Sequence, residues 1–155
     1  MVLSKNSRLV QNALMDHGLT LEVIELDAST RTAKDAANAV GCQIGQIVKS
    51  LVFRSGEKAL LFLVSGKNQL NVAQVSARLG MPVEKADADF ARQKSGFPIG
   101  GVPPVAHTTP MLTYIDRDLL SFGNVWAAAG TPNSVFKIES RLLPELTGGS
   151  IIELT

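Results

Sequence analysis

Two apolar runs separated by a short polar turn constrain the fold more than any other part of the sequence. The runs are IVKSLVFR (47–54) and KALLFLVS (58–65), and Ser55-Gly56-Glu57 lies between them. β-Branched and aromatic residues suit a pleated, half-buried surface, and a short glycine-containing connection is typical of a hairpin. The sequence therefore predicts a β-hairpin across these residues.

Lys49 stands inside the first predicted strand. Because successive side chains of a strand point to opposite faces, Lys49 shares a face with Ile47, Leu51 and Phe53. Its ammonium group could extend from a strand end to water. It could instead lie at the wall of a pocket, where it would bind an oxygen anion or a carbonyl and where burial would lower its pKa. The residues alone leave both interpretations open.

Other segments carry the caps and stops of helices or the alternation of strands. Helices are predicted before Gly18, at AKDAANAV between Thr32 and Gly41, at VAQVSARL between Asn71 and Gly80, from Asp87 or Asp89 to Gly96, and at RLLPELT after a Ser140 cap. Further strands are predicted at LEVIELD, MLTYID, NVWAAAG, SVFKIE and SIIEL, with a tight connection between MLTYID and NVWAAAG. Since no regular βαβ rhythm occurs, we predict a single α+β domain over residues 1–155, with a mixed, strongly curved sheet or open barrel and surrounding helices.

Composition narrows the classes of function. The 155 residues are 45% hydrophobic and 19% charged, as in an ordinary globular domain. A formal net charge of +1 argues against a large phosphate-neutralising surface, although it allows a small basic patch around a pocket. The single cysteine suits a reducing cytoplasm, and no apolar run approaches the roughly 18 residues of a membrane span. We therefore expect a cytoplasmic protein without a membrane partner.

Motifs for metals, cofactors and covalent nucleophiles are absent from the sequence. No C-x-x-C, H-E-x-x-H, G-x-S-x-G or phosphate-loop pattern occurs. His107 is interpreted as a structural loop histidine and Cys42 as a small buried residue rather than a nucleophile. We expect neither a metal nor a cofactor.

Two glycine-containing loops have a structural and a functional interpretation. GGVPP (100–104) could be a turn, or a rigid loop whose backbone N–H groups cradle a carbonyl or phosphate beside a lysine. AAAGTPNS (127–134) reads first as a hairpin turn, and its three small residues could also line a pocket for a small ligand.

Taken together, IVKSLVF, SGKNQLNVAQVSARLG and EKADADFARQKSGFPIGGVPPVAH resemble the YbaK/EbsC group. Its members are freestanding relatives of the editing domain inserted in bacterial prolyl-tRNA synthetases. The likeness extends from about the second helix to the final strand. Its most specific parts are the lysine of the first hairpin strand and the G-x-x-x-G-G-V-x-P loop, Gly96 to Pro103.

The resemblance implies a YbaK-like fold and a hydrolase that cuts the aminoacyl ester of mischarged tRNA, with tRNA(Pro) carrying a small non-cognate amino acid as the expected substrate. The implied partners are the 3′ end of aminoacyl-tRNA and prolyl-tRNA synthetase; the oligomeric state stays open. The catalytic lysine of the family falls on Lys49. Its substrate-binding loops fall on two sets of residues: Gly100, Gly101, Val102 and Pro103, and Ala128, Gly130 and Thr131.

The sequence departs from the family in the second loop. Ala128-Ala129-Gly130 stands where cysteinyl-tRNA(Pro) deacylases have Ser-Gly-Gly, and the His-Pro-Leu stretch of alanyl-specific relatives is missing. The resemblance therefore implies the reaction more strongly than the amino acid. A non-catalytic tRNA- or synthetase-binding module is the alternative, and a small-ligand domain that does not bind tRNA is a third.

Overall fold

The structure, a computed structural model, describes residues 3–27 and 32–154. Within these ranges the chain forms five α-helices and eight β-strands. The helices are α1 (Lys5–Asp16), α2 (Ala33–Val40), α3 (Val72–Leu79), α4 (Ala88–Ser95) and α5 (Leu143–Thr147). The strands are β1 (Val23–Glu25), β2 (Val48–Ser55), β3 (Lys58–Ser65), β4 (Glu84–Lys85), β5 (Leu112–Asp116), β6 (Asn124–Ala128), β7 (Ser134–Glu139) and β8 (Ser150–Ile152). None of the described helices has the length and apolarity needed to cross a membrane.

The strands form two sheets. The larger has the order β4-β2-β3-β5-β8, with antiparallel pairing around β2 and parallel pairing of β3 with β5 and of β5 with β8. The smaller sheet, β1-β7-β6, is antiparallel. One isolated bridge, Ile47 to Trp126, joins the two sheets, which do not close into a barrel. The predicted mixed α+β domain is confirmed.

Three helices begin at the capping residues that the sequence predicts. The side chains of Thr32, Asn71 and Asp87 accept hydrogen bonds from backbone N–H groups in the first turns of α2, α3 and α4. Gly41 and Gly80 end two of these helices with positive φ values of 75° and 68°, a conformation that glycine adopts without a Cβ penalty. Local sequence signals therefore determine these three helices.

The alternation of the β2–β3 hairpin separates two hydrophobic cores. Leu61 and Leu63 face a core shared with α1 and the smaller sheet. Leu60, Phe62 and Val64 face a second core that is completed by α3 and the end of the chain. All five side chains are fully buried, so β3 is a central strand covered on both faces.

Three local features differ from the sequence-based predictions. β4, which is only two residues long, was not predicted. β5 and β6 lie in different sheets, and a 3-10 turn (Arg117–Ser121) connects them. Ser140 does not cap α5: it begins a separate 3-10 turn, and its hydroxyl donates to the Phe122 carbonyl. Its hydroxyl fastens two loops together instead of beginning the helix.

Candidate functional site

A cavity of about 770 Å³ opens along the outer edge of β2. β4 pairs with that edge only at Phe53 and Arg54, and the bridge to Trp126 begins at Ile47. Residues 48–52 have no strand partner there within the described chain, so the edge is left for a ligand to cover. The other walls come from α2, β6 and the loop at 99–102.

Lys49 lies on the wall of this cavity and is half-buried. It pairs with Val64 on β3 and shares a face with Leu51 and Phe53, as the alternation predicted. Its ammonium group donates a hydrogen bond to the backbone carbonyl of Asn68. Burial lowers the pKa of Lys49, and the negative charge of Asp116 partly opposes this shift. The ammonium group is thus tied to the backbone at Asn68 while the residue borders the cavity.

The charge of the cavity has one sign. Among the described residues that line it, the charged ones are Lys34 on α2, Lys49 on β2 and Lys85 on β4, and none is Asp or Glu. Lys34 and Lys85 are exposed. Most of the remaining lining is apolar, including the exposed side chains of Ile44 and Ile99. An anionic ligand with an apolar part would match this surface.

The two glycines of the first loop occupy different environments. Gly100 is exposed, lines the cavity and has a φ of 88°. Gly101 is buried and is not among the lining residues; its N–H donates to the Pro98 carbonyl at 2.9 Å. A Cβ at Gly101 would lie 2.8 Å from the backbone of Thr131. Gly100 is therefore the member of the pair that can approach a ligand, while Gly101 allows the two loops to touch.

The remaining predicted site residues also divide into those that line the cavity and those that do not. Val102 and Ala128 line the cavity, together with Ala127. Pro103, Gly130 and Thr131 are not among the lining residues. Gly130 donates its N–H to the Gly101 carbonyl at 2.9 Å, so these residues support the two loops that reach the cavity.

Ser50 has a buried hydroxyl oxygen that finds no hydrogen-bond partner among the described residues. The residue follows Lys49 and borders the same cavity. A buried polar group without a partner is uncommon and costs stability. This feature could not be predicted from the sequence, because the hydrogen-bond partner of a serine in a strand depends on contacts that its neighbours do not reveal.

His107 and Cys42 have structural contacts. His107 Nε2 donates to the Pro103 carbonyl at 2.6 Å, and burial lowers the pKa of its imidazole. Cys42 is half-buried, burial raises the pKa of its thiol, and its Sγ lies 3.3 Å from the Gln43 carbonyl. No cluster of three or more His, Cys, Asp or Glu side chains in the described part of the chain could hold a metal ion.

A family model for the aminoacyl-tRNA editing domain matches residues 27–146. This range includes Lys49, both loops and every wall of the cavity. The chain belongs to the aminoacyl-tRNA editing domain family. The editing role in tRNA charging that this family implies agrees with a cavity that combines lysines with an apolar lining.

Several individual proteins and solved structures are similar to this chain. A crystal structure of a protein proposed to be a trans-editing enzyme for prolyl-tRNA synthetase is 50% identical, with a TM-score of 0.95 and 99% of each chain covered. The crystal structure of hypothetical protein APE2540 is 30% identical, covers 94% of this chain and 98% of its own, and gives a TM-score of 0.87. Protein YwhH of Bacillus subtilis is 27% identical over 81% of each chain. A proline–tRNA ligase of Thermosipho africanus is 35% identical over 50% of this chain, which is 14% of the ligase.

The two glycines should respond differently to alanine. Gly101→Ala should lower the free energy of unfolding by about 2 kcal/mol or more, because the new Cβ overlaps the Thr131 backbone and strains the bond from Gly130. Gly100→Ala meets no atom within 4 Å and should cost only about 1 to 2 kcal/mol, the strain of its positive φ. Urea unfolding measures both, and a smaller loss at Gly101 would contradict this account.

Ser50→Ala should raise the free energy of unfolding by about 1 kcal/mol, because it removes a buried hydroxyl that has no partner. Ser65→Ala is the matched control: its hydroxyl donates to the Gly45 carbonyl at 2.7 Å, so its loss should destabilise the protein. Thermal unfolding of both variants checks the pair. If the two variants lose stability equally, the Ser50 hydroxyl has a partner in solution.

Proposed function

We propose that this protein is an aminoacyl-tRNA deacylase that acts in trans, hydrolysing the ester between a small non-cognate amino acid and the terminal ribose of tRNA(Pro). The observation that carries the proposal is Lys49, whose ammonium group lies in the wall of a largely apolar cavity along a strand edge. Membership of the editing family and the likeness to part of a proline–tRNA ligase support the substrate class. We expect the protein to meet its substrate in the cytoplasm.

The size and charge of the cavity suit the end of a charged tRNA. Its 770 Å³ lies in the range that encloses a whole small ligand, and a short aminoacyl group alone would leave most of it empty. The terminal nucleoside can occupy the remainder. Lys34 and Lys85 offer cations to its phosphates, and no carboxylate competes among the lining residues that the structure describes.

The reaction needs stabilisation of negative charge. A water oxygen attacks the ester carbonyl carbon, and the carbonyl oxygen becomes an oxyanion. When the carbon–oxygen bond to the ribose breaks, the amino acid leaves as a carboxylic acid and the ribose oxygen takes a proton. In this proposal Lys49 donates from its ammonium group to the oxyanion, and Gly100 allows the substrate to approach the loop backbone. A donor fixed in a poorly hydrated site stabilises this charge more than water does.

The proposed activity is tested with a panel of mischarged tRNAs, including tRNA(Pro) charged with alanine, cysteine, serine or 2-aminobutyrate. Multiple turnovers of ester loss, above the spontaneous rate, are the expected result for at least one small amino acid on tRNA(Pro). Prolyl-tRNA(Pro) should persist. Binding without cleavage across the panel would instead indicate a non-catalytic tRNA-binding module.

Lys49→Ala should fold normally and lower the single-turnover rate of deacylation by about 100-fold or more, because the oxyanion loses its cationic donor. Lys49→Arg should not restore the rate, since a planar guanidinium cannot take the place of a compact ammonium. Lys58→Ala, at an exposed lysine of β3, is the control and should retain the wild-type rate. A near wild-type rate for Lys49→Ala would remove this residue from the mechanism.

Ala128→Val should narrow the cavity and shift preference toward alanine, at a cost of about 1 to 3 kcal/mol for the larger 2-aminobutyryl group. The measurement is the ratio of single-turnover rates for alanyl- and 2-aminobutyryl-tRNA(Pro) in the variant and the wild type. An unchanged ratio would mean that the end of β6 does not contact the amino-acid side chain.

A further inference from the structure

Behind Lys49 lies a polar cluster that the proposed reaction has not used. Its centre is Asn68, three residues beyond the end of β3. Asn68 Nδ2 donates to Asp116 Oδ2 at 2.9 Å and to Asp118 Oδ2 at 2.7 Å. Both hydrogens of the amide are therefore used, and the side chain is held between two carboxylates.

Asp116 fixes this cluster to the sheet. It ends β5 and is only 2% exposed. Its Oδ2 accepts a second bond from the Ser65 N–H at 2.9 Å, and its Oδ1 accepts from the Asp118 N–H at 3.0 Å. A buried carboxylate needs such donors to offset the loss of hydration. Asn68 is thereby tied to the ends of two central strands.

Asn68 also contacts Lys49, through its main chain. Its backbone carbonyl accepts the hydrogen bond from the Lys49 ammonium group. An ammonium group has three hydrogens, so this bond fixes its direction and leaves two for a substrate oxygen. We propose that Asn68, held between Asp116 and Asp118, is a positioning residue that orients the Lys49 ammonium group toward the ester carbonyl.

This inference rests on the proposed function, because it takes Lys49 as the residue that contacts the substrate. It adds a cause for the conformation of Lys49: a long, flexible side chain would otherwise sample several rotamers at the edge of a cavity. The side-chain amide of Asn68 is held by two carboxylates, so the residue presents its backbone carbonyl in a fixed position and removes that freedom before the substrate arrives. This is the form of preorganisation that oxyanion stabilisation requires.

The charges around Lys49 determine how the proposed activity depends on pH. Asp116 and Asp118 lie behind it, while Lys34 on α2 and Lys85 on β4 share its cavity, and Lys67 precedes Asn68. Burial lowers the pKa of Lys49 and Asp116 raises it. The ammonium form is present below that pKa, so activity that needs it falls as the pH rises through it. Asn68→Ala keeps the backbone carbonyl but removes the side-chain amide that holds this residue against Asp116 and Asp118, so the contact with Lys49 should weaken and this fall should move to lower pH.

Asn68→Ala is the first test, made on the full chain. Lys49 is observed directly by NMR of its side-chain ammonium and Cε, assigned by its absence in Lys49→Ala. We expect its titration midpoint to move to lower pH in Asn68→Ala, and the alkaline limb of single-turnover deacylation to move with it. The rate at the plateau should fall about tenfold or more, with a smaller change in KM.

Asn71→Ala is the matched control in the same loop. Asn71 Oδ1 accepts the Gln74 N–H as the cap of α3, so its loss destabilises this region without touching Lys49. In Asn71→Ala, the titration midpoint of Lys49 and the alkaline limb of the deacylation rate should remain those of the wild type. Asn68→Ser is a second, milder variant in case Asn68→Ala does not fold: it changes no charge and its hydroxyl can donate to only one carboxylate, so it should move the Lys49 titration in the same direction.

The outcomes separate the two proposals. An unchanged Lys49 titration in a folded Asn68 variant overturns the positioning role, even if the rate falls, because a purely structural role lowers the rate without moving the pH limb. A shifted titration in a protein that cleaves no ester supports the positioning of Lys49 and counts against the proposed deacylase. The NMR measurement needs no tRNA, so it stands independently of the activity.

Discussion

The pairing of β2 with β3 is the constraint on which the rest of the structure depends. Eight consecutive residue pairs, from Val48–Ser65 to Ser55–Lys58, fix the register. A shift by one residue would turn every side chain to the opposite face. Because the two faces of β3 pack into separate apolar cores, such a shift would place the wrong side chains in both. The same register places Lys49 opposite Val64, four residues before Asn68. The packing of the core therefore fixes the geometry of the site.

The candidate site exists because this sheet is incomplete. β4 covers only one end of β2, and the smaller sheet touches the other end through Trp126. The gap between them exposes a strand edge that, in a complete sheet, would be paired. Filling it by a longer β4 would stabilise the sheet and remove the cavity. The short strand is therefore as much a part of the site as Lys49.

Local chemistry allowed much of the fold to be predicted, and long-range contacts account for what was missed. The turn at Gly56, the caps at Thr32 and Asn71 and the alternation around Lys49 act within a few residues, so the sequence reveals them. The division into two sheets and the two-residue β4 depend on partners far along the chain. The cluster of Asn68 with Asp116, 48 residues away, has no local signature. Thus the lysine could be found from the sequence, but the groups that hold it could not.

Positive and negative side chains are separated between the cavity lining and the residues behind it. The charged side chains among the described lining residues are all lysines, while the carboxylates of Asp116 and Asp118 bind the amide of Asn68, outside the lining. A phosphate inside the cavity would therefore lie against these lysines and not against the carboxylates of Asp116 and Asp118. Asp116 still acts on Lys49, where its negative charge favours the ammonium form. Because Asp116 reaches the neighbourhood of Lys49 through Asn68 and does not line the cavity, it can support the cation that an anionic substrate needs without facing that substrate.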